Sequence, residues 1–289
     1  MTVPLGLVVS PQELHQFLDK NQLLDKNQLL EQPMDKSNLL ILDLSQPQTY
    51  GKAHIPGAIH LPFGGLNSGI KPAVGTLPSI ERLEQIFSQI GLTPDKHVIA
   101  YDDEGGGWAG RLIWMLDMIG HPHYSYLDGG IHAWLGDKLP TEQTPNSGQA
   151  TDVSITLKQN PSADKAFILE HLNDPNMVIW DARSKEEYLG SRVVAQRGGH
   201  IPGAKHYEWT TAMDKNRQLR IRDLEEIRQE LAEEGITSDK LIVTHCQTHH
   251  RSGFTYLLGK VLGFENIKAY PGSWSEWGND EATPIDSGN

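Results

Sequence analysis

The sequence has 289 residues, 38% of them hydrophobic and 21% charged, which is ordinary for a globular protein of about two domains. Its formal net charge of −12 argues against nucleic acid or an anionic membrane as a bulk partner, because both require a basic surface. The first residues show no signal peptide, and no stretch nears the roughly 18 apolar residues of a membrane span. The single cysteine predicts a reducing compartment, the cytoplasm.

From the N-terminus onwards, short apolar runs alternate with segments of helical periodicity. An early oddity is that Leu18–Leu23 is copied directly as Leu24–Leu29, which is best explained as a slipped duplication that lengthens a surface helix. The apolar runs suit strands buried on both faces of a parallel sheet, and they are 41–42, 98–100, 178–180 and 241–243. The helical patterns are 80–87, 222–231 and 254–262. Their alternation predicts open α/β sheets.

Several motifs occur twice in the same order. His54–Ala58 recurs as His200–Ala204, and the segment ending at Asp102 matches the one ending at Cys246. The sequence therefore predicts a duplicated domain: residues 1–140, a polar linker at 141–152, and residues 153–289.

The segment around Cys246 has the composition of a reactive site. An apolar strand is predicted to end at Cys246, and a polar loop and a helix follow. Ligands of α/β sheets bind beyond the carboxyl ends of strands, and a helix N-terminus attracts anions. The loop carries Gln247, Thr248, His249, His250, Arg251 and Ser252.

Two interpretations of the cysteine compete. A buried, inert thiol is common, but the polar flanks of Cys246 make a poor core. A cation such as Arg251 or a nearby helix start lowers the pKa of a cysteine thiol from about 8.5 to roughly 3.5–7.5. The resulting thiolate is the nucleophile. We therefore predict that Cys246 is catalytic, with the histidines adding hydrogen-bond donors and, where protonated, charge.

The loop Cys246–Arg251, followed by Ser-Gly, resembles the active-site loop of bacterial tandem rhodaneses, the two-domain sulfurtransferases. Further similar motifs lie at 181–188, 199–204 and 272–277, so the resemblance covers about residues 8–280. It implies two tandem rhodanese-like domains, each a mostly parallel sheet flanked by helices. It also implies that Cys246 accepts sulfur as a persulfide without another cofactor, and that Asp102 makes the first domain catalytically silent.

Loop length and loop composition bear on the reaction. Rhodanese-like phosphatases use Cys-x5-Arg, whereas this chain has Cys-x4-Arg, so phosphatase, arsenate reductase or redox activity ranks below sulfur transfer. Mammalian-type thiosulfate sulfurtransferases carry a Lys and an Arg where this chain has Thr248 and Glu187. Because the mercaptopyruvate-type loop is also absent, thiosulfate is the predicted donor, and 3-mercaptopyruvate is the alternative.

Several other residues are candidates for a role in the pocket. Arg183 is expected in a structural ion pair with Asp181, as the family resemblance implies, rather than on substrate. Arg192 and Arg197 lie in an insert absent from the first half and either reach the pocket or decorate a surface loop. Trp209 either lines the pocket mouth or packs between domains.

No metal site is predicted, because adjacent histidines rarely share one ion and one cysteine gives no closed zinc set. His249 and His250 are instead expected to be solvated or to face substrate. The expected partners are a small anionic sulfur donor and a thiophilic acceptor such as cyanide or a thiol. A persulfide carrier that delivers sulfur to a protein partner remains an alternative, and a monomer is the simplest assembly.

Overall fold

The structure is a computed structural model that describes residues 5–23 and 38–288. The copied segment Leu24–Leu29 lies outside these residues, so its interpretation as a longer helix stays a prediction. Within the described ranges, no helix has the length and apolar content needed to cross a membrane.

The N-terminal half is a parallel sheet with helices packed around it. Its elements are β1 (Val8–Val9), α1 (Pro11–Leu23), β2 (Leu39–Asp43), α2 (Pro47–Lys52), β3 (Ile59–His60), α3 (Ile80–Gln89), β4 (His97–Tyr101), α4 (Gly107–Ile119), β5 (Tyr124–Leu127) and α5 (Gly130–Gly136). The strand order is β1-β5-β4-β2-β3, and each neighbouring pair is parallel. Strand β4 is therefore central, and Asp102 follows it at the carboxyl edge of the sheet.

The C-terminal half repeats this plan. Its elements are α6 (Lys165–Glu170), β6 (Met177–Asp181), α7 (Lys185–Leu189), β7 (Lys205–His206), β8 (Met213–Asp214), β9 (Arg220–Ile221), α8 (Leu224–Glu233), β10 (Leu241–His245), α9 (Arg251–Val261), β11 (Ile267–Ala269) and α10 (Ser273–Trp277). The parallel sheet has the order β11-β10-β6-β7, while β8 and β9 form a small antiparallel pair. The predicted class, two tandem α/β domains with mostly parallel sheets, is confirmed.

The strands are apolar because helices cover both faces of each sheet. Val98, Ile99 and Ala100 of β4 are fully buried, as are Ile242 and Val243 of β10. Burying such side chains contributes about 1.5–3 kcal/mol each, which accounts for strands that show no polar alternation.

Side-chain caps fix where several helices begin. The Ser79 hydroxyl accepts from the backbone N–H of Arg82 at the start of α3. At the start of α7, Ser184 and Glu187 form a reciprocal capping box. Asp223 caps α8, so this helix begins at Leu224 and not at Arg222, where the periodic pattern starts. Each cap satisfies backbone donors that a helix start otherwise leaves unpaired.

The two domains meet through the equivalent helices α4 and α9. A Cβ at Gly110 would lie 2.3 Å from the carbonyl oxygen of Gly253, and one at Gly253 would lie 2.6 Å from the Arg111 nitrogen. Both positions therefore need glycine for the backbones to approach this closely. The contact brings the loops that precede the two helices to the domain interface.

The polar stretch at 141–152 packs along the first domain. His54 and Glu142 exchange two backbone hydrogen bonds of 3.0 Å, and His200 and Asp286 form the equivalent pair at the end of the second domain. The start of the predicted linker is thus the tail of the first structural repeat. The domain boundaries themselves stay a prediction.

Candidate active site

Cys246 sits between the central strand β10 and helix α9. The strand ends at His245 and the helix begins at Arg251, so the loop is shorter than the predicted one, which ran to Gly253, before a helix at 254–262. The backbone of Cys246 is anchored on both sides: its N–H donates to the Ser273 hydroxyl over 3.4 Å, and its carbonyl accepts from the Trp274 N–H over 2.9 Å. The sulfur therefore has a fixed position at the start of α9.

The thiol of Cys246 is 1% exposed. Burial raises its pKa, but four effects outweigh burial: the charge of Arg251, the Ser252 hydroxyl, and the backbone N–H groups of Ser252 and Thr248. The pKa consequently lies below its ordinary value. Because the surrounding groups all favour negative charge, the loop is a cradle for a thiolate or another anionic sulfur.

Arg251 forms a two-pronged ion pair with Glu187 of α7. The Arg251 Nη1–Glu187 Oε2 and Nη2–Oε1 distances are 2.6 and 2.9 Å. Burial alone would lower the pKa of Arg251, but Glu187 and the Cys246 charge raise it, and Arg251 in turn lowers the pKa of Glu187 against burial. Arg251 is therefore a permanent cation whose orientation Glu187 fixes.

His249 is completely buried, so the expectation of a solvated side chain is wrong for this residue. Its Nδ1 lies 2.7 Å from the Ser252 hydroxyl, and its ring meets Trp114 edge-on at 4.5 Å. Burial and the charge of Arg111 lower the pKa of His249 well below its ordinary value. The ring is neutral near pH 7 and adds no charge to the thiol.

His250 lies at the domain boundary. Its Nε2 is 2.8 Å from Glu104 Oε2 of the first domain. The ring stacks on Trp108 at 4.3 Å and meets Trp209 edge-on at 5.6 Å. Trp209 thus packs in an aromatic cluster beside the active-site loop, between residues of both domains. In the described chain, no group of three or more His, Cys, Asp or Glu residues is arranged to hold a metal.

Gln247 and Thr248 connect the loop to two neighbouring segments. The Gln247 amide donates to the Val194 carbonyl over 3.2 Å, which attaches the loop to the insert of the second domain. A Cβ at Gly75 of the first domain would lie 2.2 Å from the Thr248 carbonyl oxygen. The loop therefore contacts the insert of the second domain through Gln247 and the backbone of the first domain through Thr248.

The remaining arginine candidates differ in their surroundings. Arg183 is fully buried and its Nη2 lies 2.6 Å from Asp181 Oδ2. Arg197 donates to the carbonyls of Trp277 and Thr283 and so fastens the insert to the C-terminal segment. Arg192 is exposed. Arg183 thus forms an ion pair with Asp181, while contact of Arg192 or Arg197 with a substrate remains one of the two alternatives.

The equivalent loop of the first domain has the same length but contains its own carboxyl group, Asp102, whose pKa burial raises against the backbone N–H groups that bond to it. Asp102 Oδ1 accepts from the N–H groups of Glu104 and Gly106, and Oδ2 accepts from those of Trp108 and Ala109, over 2.8–3.0 Å. The buried carboxylate thus fills the place that a bound anionic sulfur would need. The loop has no thiol, and the carboxylate of Asp102 already takes up its backbone donors.

Replacing Asp102 with Ala is expected to lower the free energy of unfolding by at least about 2 kcal/mol, because each buried donor left unpaired costs about 1–3 kcal/mol. Asp102→Asn should lie between wild type and Ala, since one oxygen remains. Urea unfolding measures the effect, with Asp95→Ala, an exposed carboxylate bonded to Thr93, as the control. Equal midpoints for the Asp102 and Asp95 variants would contradict this account of the first loop.

The contribution of the first domain is not among the residues predicted from the sequence. Glu104, Trp108 and Arg111 all reach the active-site loop, yet they belong to the half without a cysteine. Sequence motifs mark what is shared between two repeats, whereas these contacts exist only because the repeats pack face to face. The glycines flanking Trp108 and Arg111 were the available signal, since Gly107 and Gly110 permit the close packing.

Comparison with known proteins gives one consistent result. A family model for the rhodanese-like domain matches residues 26–137 and again 165–280. The chain is 48% identical to a thiosulfate sulfurtransferase of Azotobacter vinelandii over 86% of this chain and 91% of that protein. It is 46% identical to a thiosulfate sulfurtransferase of Pseudomonas aeruginosa, with the same coverage of both chains.

Two further similarities are more distant. The chain is 30% identical to the sulfur carrier protein TtuD of Thermus thermophilus, over 83% of this chain and 87% of that one. An anaerobic ergothioneine biosynthesis enzyme from Chlorobium limicola superposes with a TM-score of 0.83 at 19% identity, covering 98% of this chain and 70% of that one. The second likeness shows a shared fold only.

Proposed function

Since the chain belongs to the rhodanese-like family as a tandem of two such domains, we propose that it transfers the outer sulfur of thiosulfate to a thiophilic acceptor through Cys246. The Cys246 thiolate attacks the outer sulfur, the S–S bond of thiosulfate breaks, and sulfite leaves with the bonding electrons. Cysteine persulfide remains, and cyanide or a thiol then removes its terminal sulfur and regenerates the thiolate.

The observation that carries this proposal is the cradle around Cys246. The Ser252 hydroxyl and the N–H groups of Thr248 and Ser252 converge on one sulfur, and Arg251 supplies positive charge. Such a set stabilises the anion before attack and stabilises the terminal sulfur of a persulfide afterwards. Sulfite leaves as a stable anion and requires no proton donor.

Thiosulfate is the proposed donor for two reasons. Relatives at 46–48% identity are named thiosulfate sulfurtransferases. The loop also combines a buried thiol with the cation Arg251, which favours a small dianion over a larger keto acid.

A persulfide carrier is the second candidate, and the burial of Cys246 favours it. Cys246 is 1% exposed, so its sulfur is shielded from water and from oxidants, as a long-lived persulfide requires. A relative at 30% identity is itself named a sulfur carrier protein. In this case a protein would be the physiological acceptor and cyanide a laboratory substitute.

Intact-mass measurement after incubation with thiosulfate or with 3-mercaptopyruvate tests these proposals together. We expect thiosulfate to add one sulfur, about 32 Da, and 3-mercaptopyruvate to add it more slowly. Cys246→Ser is the matched control and should gain nothing. Faster loading by 3-mercaptopyruvate would reverse the donor assignment, and an adduct that survives for hours without acceptor would favour the carrier function.

The setting of the reaction follows from the same thiol. Because this sole cysteine must stay reduced between turnovers, we propose that the protein works in a reducing compartment, the cytoplasm. We also propose a monomer, because the two domains of one chain already enclose the loop on both sides.

A further inference from the structure

Arg111 is a buried cation that the catalytic domain does not supply. It belongs to α4 of the first domain, and its side chain is fully buried. Its guanidinium donates to the Leu66 and Gly75 carbonyls of its own domain over 2.7 and 2.8 Å. A further N–H donates to the His249 carbonyl of the active-site loop over 3.3 Å. One side chain therefore links the two domains at the reactive loop.

The charge of Arg111 has no carboxylate partner in the described part of the chain. By contrast, Arg183 is paired with Asp181, and Arg251 is paired with Glu187. Burial lowers the pKa of Arg111 to about 9, and the negative charge of Cys246 opposes this change. A buried charge without a counter-ion is costly, and two neighbours offset part of this cost: the face of Trp114, 5.3 Å from the guanidinium carbon, and the negative charge of Cys246.

The hydrogen bond from Arg111 also bears on the shape of the loop. His249 has a φ of 58°, in the left-handed region that a residue with a side chain rarely adopts. Such a conformation persists only where neighbouring contacts impose it. The Arg111–His249 bond is one such contact, and it keeps His249 Nδ1 beside the Ser252 hydroxyl that bonds to the thiol.

We propose that Arg111, from the catalytically silent domain, is a positioning residue of the sulfur-transfer site. It holds the active-site loop through the His249 carbonyl, and its unpaired buried charge stabilises the anionic sulfur of Cys246. The inference rests on the proposed function, because it assigns the first domain a part in the same reaction. It also gives that domain a role other than covering the second one.

The test compares Arg111→Met with wild type by following thiolate absorbance at 240 nm between pH 4 and pH 9. Cys246→Ser provides the baseline, since the chain has one cysteine. We expect the thiol pKa to rise by about 1, the lower end of the change that an opposite charge causes, because Arg251 and the loop donors affect the thiol more strongly than Arg111 does. This titration needs no turnover, so it stays informative even if sulfur transfer from thiosulfate is not observed.

Arg220→Met is the matched control. Arg220 is also an interdomain arginine, 2.6 Å from Asp137 of the first domain, but it does not contact the active-site loop. In the Arg220→Met variant, the pKa of the Cys246 thiol should equal that of wild type. An Arg111→Met protein that folds and titrates like Arg220→Met would overturn the proposal.

Arg111→Lys keeps the test decisive if the Met variant does not fold. Lysine retains the charge but has one ammonium nitrogen in place of the Nη1–Nη2 fork, whose Nη1 bonds to the His249 carbonyl while Nη2 bonds to the carbonyls of Leu66 and Gly75. We expect a thiol pKa close to that of wild type, together with faster amide exchange in the active-site loop. A thiol pKa higher by about 1 in this charged variant would mean that Arg111 acts on packing alone, and the proposed charge effect would be wrong.

Discussion

Replacing Cys246 with Ser is expected to abolish sulfur transfer, with a loss of at least about 10⁴-fold in kcat, the scale seen when an enzyme loses its nucleophile. A hydroxyl at this site stays protonated near pH 7 and cannot store a transferable sulfur atom. The measurement is thiocyanate formation from thiosulfate and cyanide.

The fold should survive this substitution. The Ser252 hydroxyl and the backbone donors that face the sulfur can bond to a serine oxygen instead, and the backbone anchors to Ser273 and Trp274 remain. Circular dichroism and the urea midpoint should therefore match those of wild type. Residual turnover at more than a few per cent, from a folded Cys246→Ser protein, would remove the chemical basis of the proposed function.

Replacing Arg251 with Met is expected to lower kcat/KM for thiosulfate by about 10²-fold, the typical effect of removing a group that stabilises charge in the transition state. Arg251 is the first of the effects that lower the pKa of Cys246 against burial. Without it the thiol pKa rises, so the acid limb of the pH–rate profile moves to higher pH. At a pH below that limb, a thiol whose pKa is higher by about 1 holds roughly one tenth as much thiolate.

Glu187→Gln is the control with the opposite sign. The carboxylate of Glu187 offsets the Arg251 charge at 2.6 Å, and glutamine keeps its shape and one acceptor oxygen. Removing that negative charge leaves Arg251 free to act on the thiolate, so the thiol pKa should fall and the acid limb should move to lower pH. If both variants moved the limb in the same direction, the limb would report loop disorder and not the Arg251 charge.

The fold was predictable because the pattern of the chain repeats. Short apolar runs mark β2, β4, β6 and β10, and the duplicated motifs mark two domains. Only the limits were inexact: α9 begins at Arg251, three residues before the apolar pattern suggested, because a helix start is set by backbone geometry and not by hydrophobic periodicity. For the same reason α8 begins at Leu224, after its cap Asp223, and not at the predicted Arg222.

Only the part of the candidate site that is continuous in sequence could be predicted; the contacts made by the other domain could not. The loop from Cys246 to Ser252 could be predicted as a candidate site from its own residues, whereas the complete burial of His249 could not. Polar residues in a loop are usually solvated, but the first domain covers this one, and Trp114 and Ser252 take the place of water. Arg111 and Glu104 act across an interface between repeats, which no spacing in the sequence records.

The carboxylate in the first loop also limits what the protein can hold. Each domain contains a loop of backbone donors that can hold an anion. In the first domain the side chain of Asp102 permanently occupies these donors. Under a large excess of donor, the loading stoichiometry should therefore saturate at one sulfur per polypeptide, half of what the duplicated architecture would allow. If Cys246 carries the sulfur as proposed, one chain holds one sulfur at a time, and an acceptor that needs two sulfurs must bind a loaded chain twice.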